Sequence, residues 1–211
     1  MLSTQNYAAL PDMAGLRRLC QSLAVLDAIN SQDLEYRYYT FDPNWDQGEA
    51  LFEMNDGEGD QMLVLFREEG CCINGYLDGY DQPDKAQVTR GLPEVFDEFM
   101  LGEPVNSIGT TFCLWYTPAH GWQTGILPDE DDGSEELLFI FDGNPATYAE
   151  WANEYYIDET DRDPIDADAV ARIYQHEPLA RELVKELIDP LEDWAQLETD
   201  LQEIGYPYQF A

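Results

Sequence analysis

The chain has 211 residues, 44 of them acidic and 10 basic, for a formal net charge of −34, with hydrophobic residues at 44% and aromatics at 13%. Disordered chains combine high charge with few aromatics, whereas the apolar content here is enough to build a packed core. So anionic a surface argues against direct binding to a nucleic-acid backbone, which needs basic side chains to release counterions, and disfavours anionic membranes.

The excess is spread over both halves, −14 in residues 1–105 and −20 in 106–211, so the charge does not belong to one tail. Self-repulsion at this charge costs stability, and salt screens it over roughly 10 Å. The N-terminus, Met1 to Tyr7, lacks a basic region followed by an apolar stretch, and no run approaches the ~20 apolar residues that span a bilayer. Cys20, Cys71, Cys72 and Cys113 show no secreted-framework spacing. They are expected to be free, buried thiols in a reducing cytoplasm.

The first expected helix opens near Pro11 and carries Leu16, Leu19, Cys20, Leu23 and Leu26 at helical spacing through Ile29. Leu34 to Phe41 is rich in aromatics and reads as a strand stopped by Asp42-Pro43. Ala50–Asn55, Met62–Phe66 and Cys71–Leu77 read as three more strands. Their separators, Asp56-Gly57-Glu58-Gly59-Asp60 and Arg67-Glu68-Glu69-Gly70, are turn chemistry, which predicts an antiparallel meander. A polar loop follows from Gly79 to Arg90, then a short helix over Leu92–Met100 ended by Gly102. Thr110–Tyr116 and Gly121–Leu127 predict a hairpin, and Leu137–Phe141 a last strand.

The C-terminal third predicts helices. Asn144-Pro145 starts one bearing Tyr148, Trp151, Ala152 and Tyr155, and Asp166 caps a second with Val170, Ile173 and Tyr174. Pro178 opens a third. Asp189-Pro190-Leu191-Glu192 has the form of a capping box for a fourth, which Gly205 and Pro207 end. The fold expected is α+β: antiparallel sheet with an N-terminal helix and a C-terminal helical cluster packed on one face. Residues 1–211 are read as a single domain, with 144–211 as a candidate helical subdomain.

The residues that could carry chemistry are few. The acidic run Asp129-Glu130-Asp131-Asp132-Gly133-Ser134-Glu135-Glu136 fails the EF-hand pattern, because Ser134 stands where its glycine belongs and Ile140 where its glutamate belongs. It reads as a solvated loop, and Asp129, Glu130, Asp131, Asp132, Glu135 and Glu136 are the expected contacts to a basic partner. Asp56 to Asp60 reads as a hairpin turn, and Asp158 to Asp168 as an interhelix loop ending in a cap. His120 and His176 lie far apart without zinc-site spacing, His176 near a helix end whose dipole favours its charged form. No nucleophile elbow, Walker loop or dinucleotide fingerprint is present. No catalytic residue, metal or cofactor is therefore expected. The strand-like Tyr36, Tyr38, Tyr39 and Phe41 put rings on both faces of one strand, and two readings are open: core packing under the helices, which is the expected one, or one set in the core with the other exposed to anchor an interface.

Leu34-Glu35-Tyr36-Arg37-Tyr38-Tyr39, Thr110-Thr111-Phe112-Cys113-Leu114-Trp115 and Glu203-Ile204-Gly205-Tyr206-Pro207 together resemble a group of bacterial soluble proteins with no assigned activity. The resemblance implies a bacterial cytosolic origin and carries over no catalytic residue. The acidic α+β build is also broadly similar to that of bacterial immunity proteins, in type only. Three functions are open on this basis: a non-enzymatic binder of a basic protein, of immunity-protein or inhibitor type; a housekeeping protein with a salt-adapted surface; and a carboxylate-dependent hydrolase or metal-binding enzyme.

Overall fold

A computed structural model describes residues 1–128, 131–157 and 162–210. Asp12 starts helix α1 (Met13–Asn30), its carboxylate accepting the Gly15 N–H. Strands β1 (Tyr39–Asp46), β2 (Glu49–Asn55), β3 (Gln61–Arg67) and β4 (Gly70–Tyr76) follow as a meander. Short helices α2 (Lys85–Val88), α3 (Asp97–Leu101) and α4 (Val105–Ile108) precede the hairpin of β5 (Phe112–Thr117) and β6 (Gly121–Thr124). Helices α5 (Ser134–Leu138), α6 (Pro145–Ala152) and α7 (Ala167–Tyr174) come next, then strand β7 (Leu179–Ala180), α8 (Arg181–Leu187), α9 (Trp194–Ile204) and strand β8 (Tyr208–Gln209). The fold is α+β, with an antiparallel sheet in the order β1-β2-β3-β4-β5-β6 and a two-strand parallel pair, β7-β8.

The sheet is buried on both faces, which is why β3 and β4 read as continuous apolar runs instead of alternating ones. One face carries Phe41, Phe52, Met62, Val64, Ile73 and Leu114 into the main core beneath α1 and the C-terminal helices. The other face carries Leu51, Leu63, Leu65, Cys72, Cys113 and Trp115, and the segment with α3 and α4 covers it through Phe96, Phe99, Met100 and Val105. Register places Gly75 opposite Phe112, whose buried ring lies across the glycine. A Cβ at Gly75 would come within 2.1 Å of Phe112 Cε1. Gly75→Ala is therefore expected to cost about 2–3 kcal/mol through overpacking. Urea unfolding would show it as a lower midpoint with an unchanged slope.

Several elements depart from the sequence-based expectation, each for a local reason. Leu34–Tyr36 forms a 3-10 turn, because the Asp33 side chain accepts the Glu35 N–H; the strand starts at Tyr39 and runs through Pro43. β1 is an edge strand with irregular register between Asp42 and Asp46, where proline removes no ladder bond. Leu137–Phe141 is helical, being the end of α5 and a 3-10 turn over Phe139–Asp142. A five-residue apolar run does not by itself separate strand from buried helix. Within the expected Gly79–Arg90 loop, Asp84 caps α2. Leu179 and Ala180 pair with Tyr208 and Gln209, so α8 opens at Arg181 and not at Pro178. The cap of α9 is Asp193, whose carboxylate accepts the Ala195 and Gln196 N–H groups, and not Asp189. Caps at Asn144 and Asp166, and the left-handed Gly205 closing α9, lie where expected.

Candidate binding groove and the buried aspartate behind it

The least ordinary residue in the core is Asp27, on the buried side of α1 and without solvent exposure. Its Oδ2 accepts the backbone N–H groups of Tyr38 (2.9 Å) and Tyr39 (2.8 Å) and the Tyr156 hydroxyl (2.9 Å). Its Oδ1 accepts the Tyr148 hydroxyl at 2.8 Å. One carboxylate thus ties α1 to the start of β1, to α6, and to the π-helical turn Asn153–Ile157 that extends α6. Burial pushes the Asp27 carboxyl up to about 7; the four donors pull it back without cancelling the cost of desolvation. Asn30, one turn on, donates to the Tyr148 hydroxyl and accepts from Arg162.

Around this anchor the rings of Tyr38, Tyr39, Tyr148, Tyr155 and Tyr156 gather on Trp151. Tyr38 meets it edge-on at 4.8 Å between centroids, and Tyr155 stacks on it at 5.3 Å. The π-helical turn places consecutive tyrosines on opposite duties: Tyr156 points to Asp27, while Tyr155 is 44% exposed. Such local widenings of a helix recur at functional sites.

In front of the cluster lies an open groove of about 630 Å³. Leu34, Tyr36 and Tyr155 stand along it, Leu34 66% and Tyr36 63% exposed, and Tyr38 lines it as well. Thr40 and Glu53, directly opposite each other on β1 and β2, form part of its lining, and Asp56 and Glu35 lie on it as well. Arg37, its one cation among the described residues, is committed elsewhere: it forms a buried ion pair with Asp200 of α9 at 2.6 Å and donates to the Ser31 and Gln32 carbonyls. The field in the groove is negative. Burial first, then the charges of Asp56 and Asp60, push the Tyr38 hydroxyl above its ordinary value. Burial, with Asp27, Asp56 and Glu58, does the same to Tyr155.

The turn Asp56–Asp60 is held by the Asp56 carboxylate, which accepts the N–H groups of Glu58, Gly59 and Asp60. Partial burial pushes Asp60 above the usual carboxylate range, and repulsion from Asp56, Glu136 and Asp78 adds to it against a hydrogen bond from the Asp78 N–H. That repulsion links the groove to the acidic run singled out in the sequence. Of that run, Asp129 and Glu130 lie outside the described residues. Asp132 is buried and structural, accepting the Thr4 hydroxyl at 2.5 Å and the Ser134 N–H. Asp131, Glu135 and Glu136 are exposed; Asp131 accepts the Gly133 N–H, and Glu136 accepts the Tyr80 hydroxyl, which this bond pushes up to about 12.

All four cysteines are free and buried. His176 departs from the expectation that a helix dipole favours its charged form. Burial pushes its imidazole below the ordinary value, and its Nε2 donates to the Arg18 carbonyl at 2.9 Å. Among the described residues no three His, Cys, Asp or Glu side chains are placed to hold a metal ion, and no helix is long and apolar enough to cross a membrane. Comparison with protein-family models, curated proteins and solved structures found no match.

The aspartate cluster could not have been read from sequence, where Asp27 is one polar residue inside a helical apolar stripe. The only available signal was the density of tyrosine in two separated segments, 36–39 and 148–156.

Proposed function

We propose that this chain is a non-enzymatic binding protein that engages a basic protein partner through the groove, in the manner of an immunity protein or inhibitor acting in the bacterial cytoplasm. The observation that carries this reading is the set of exposed Leu34, Tyr36 and Tyr155 along a groove whose tyrosines sit in the field of Asp56, Glu58 and Asp60. Exposed aromatics within a charged rim have the anatomy of an interface core. The long-range field of a −34 protein speeds encounter with a cationic surface and repels anionic ones. Asp131, Glu135 and Glu136 add to that field from the neighbouring acidic run, and four buried free thiols suit a reducing compartment.

Affinity capture from the source organism, followed by binding kinetics on the captured partner, tests the reading. Association is expected to slow by about tenfold or more between low and high salt, with dissociation little changed. Tyr36→Ala with Tyr155→Ala is expected to weaken binding by roughly 2–4 kcal/mol, the scale of aromatic hot spots. Association insensitive to salt, or binding untouched by the double variant, would overturn it.

A further inference from the structure

We infer that the groove is built to seat an arginine of an extended partner segment, with the Glu53 carboxylate as counter-ion and the Tyr36 and Tyr155 rings as its walls. The inference rests on the groove being the partner's seat and adds the chemistry of what enters it. β2 presents Glu49, Leu51 and Glu53 to one face of the sheet, and the three have different fates. Glu49 is ion-paired with Arg67 at the end of β3. Leu51 is buried against the cluster of Phe96, Phe99 and Met100. Glu53 lies between Thr40 and Leu63 in the cross-strand row, half-buried, with no ion pair or hydrogen bond to its carboxylate among the described residues.

Glu53 thus lines the groove as a carboxylate that has kept its acceptor capacity for a ligand. Among the described residues no cation forms an ion pair with it, and Arg37, which also lines the groove, is held by Asp200 and two carbonyls. The rings favour arginine over lysine. A planar guanidinium stacks on an aromatic face and offers a fork to a carboxylate, whereas an ammonium keeps its hydration. The same pairing occurs within this chain at Arg181, whose guanidinium lies 4.3 Å from the Trp194 ring centroid. Tyr36 makes no ring contact among the described residues and keeps its face open to such a partner. An extended segment fits because the groove runs beside the start of edge strand β1, and its volume lies within the ~300–1,000 Å³ typical of ligand-sized sites.

Amide NMR titration of the full chain with capped Gly-Arg-Gly, Gly-Lys-Gly and Gly-citrulline-Gly tests this. Saturable shifts concentrated at Tyr36, Thr40, Glu53 and Asn55 are expected, strongest for arginine and absent for the neutral citrulline. Glu53→Gln, folded by its unchanged spectrum elsewhere, is expected to weaken the arginine peptide by roughly three- to fivefold. Shifts at the groove that are equal for lysine or citrulline, or unchanged in Glu53→Gln, overturn the arginine seat. So do shifts spread over the whole acidic surface. In either case the broader reading stands or falls separately, on the effect of the Tyr36 and Tyr155 variants on the captured partner.

Discussion

Replacing Asp27 by asparagine is expected to flatten the pH dependence of stability between about pH 5 and 8, and replacing it by alanine to unfold the protein or cost about 3–5 kcal/mol. The buried carboxyl titrates near 7 in the fold against an ordinary value of 3.8. Between those two values the native state therefore holds a proton that the unfolded chain has released. Stability from this group is fully present below about pH 4 and is lost as pH rises through 7. A gap of about three pH units corresponds to a few kcal/mol in all, with a limiting slope of ~1.4 kcal/mol per pH unit. Mutual repulsion among the surface carboxylates gives a slope of the same sign, so the difference between wild type and Asp27→Asn isolates the buried group.

The site also fixes where the proton goes. Oδ2 is occupied by three donors and Oδ1 by the Tyr148 hydroxyl alone, so protonation falls on Oδ1 and reverses that one bond. The Tyr148 oxygen then accepts from both Asp27 and Asn30 Nδ2, while its own hydroxyl proton gives up the acceptor it had in the ionised state. Asparagine reproduces this neutral arrangement, with its carbonyl in the Oδ2 position and its amide donating to Tyr148. Alanine leaves two buried N–H groups and two hydroxyls without their acceptor. Denaturant unfolding of the three proteins at pH 5, 6.5 and 8 would show the pattern. An Asp27→Asn slope equal to that of wild type would mean that Asp27 stays ionised throughout.

Much of the scaffold was legible in the sequence because it is dictated locally. The turns at Asp56–Asp60 and Glu68–Gly70 set the meander, and α1 carries a helical stripe with Leu16, Leu19, Leu23 and Leu26 all buried. Caps at Asn144 and Asp166 follow from one side chain that accepts the N–H two residues on. What failed were segments whose state is decided by distant partners. Leu137–Phe141 is helical because it caps the main core, and Leu179–Ala180 is extended because the C-terminal Tyr208–Gln209 comes back beside it. The groove was half visible. Alternation put rings on both faces without saying which set is buried; the structure buries Tyr39 and Phe41, and that Tyr155 joins Tyr36 and Tyr38 depends on contacts more than a hundred residues apart. The acidic run attracted notice by composition alone, and composition does not distinguish Asp132, which holds Thr4 and Ser134, from its exposed neighbours.

Trp151→Ala is expected to cost about 3–5 kcal/mol and to remove the groove as a binding surface in whatever protein remains folded. The indole touches five tyrosines: Tyr39 and Tyr148 toward the core, Tyr156 beside Asp27, and Tyr38 and Tyr155 toward the groove. Deleting it opens a cavity between α6 and β1 and leaves Tyr155 without the ring it stacks on. Trp151→Phe keeps an aromatic face with less area, so stability should fall by roughly 1–2 kcal/mol while Tyr155 stays in place. Asp27 and Trp151 share Tyr38, Tyr39, Tyr148 and Tyr156 as neighbours, so their effects should not add. In a double-mutant cycle with Asp27→Asn and Trp151→Phe, a coupling of about 0.5–3 kcal/mol is expected. Coupling near zero would mean that the buried carboxylate and the groove wall are independent. A clear coupling would mean that the state of Asp27 is linked to the ring on which Tyr155 stacks, at the groove where a partner is proposed to dock.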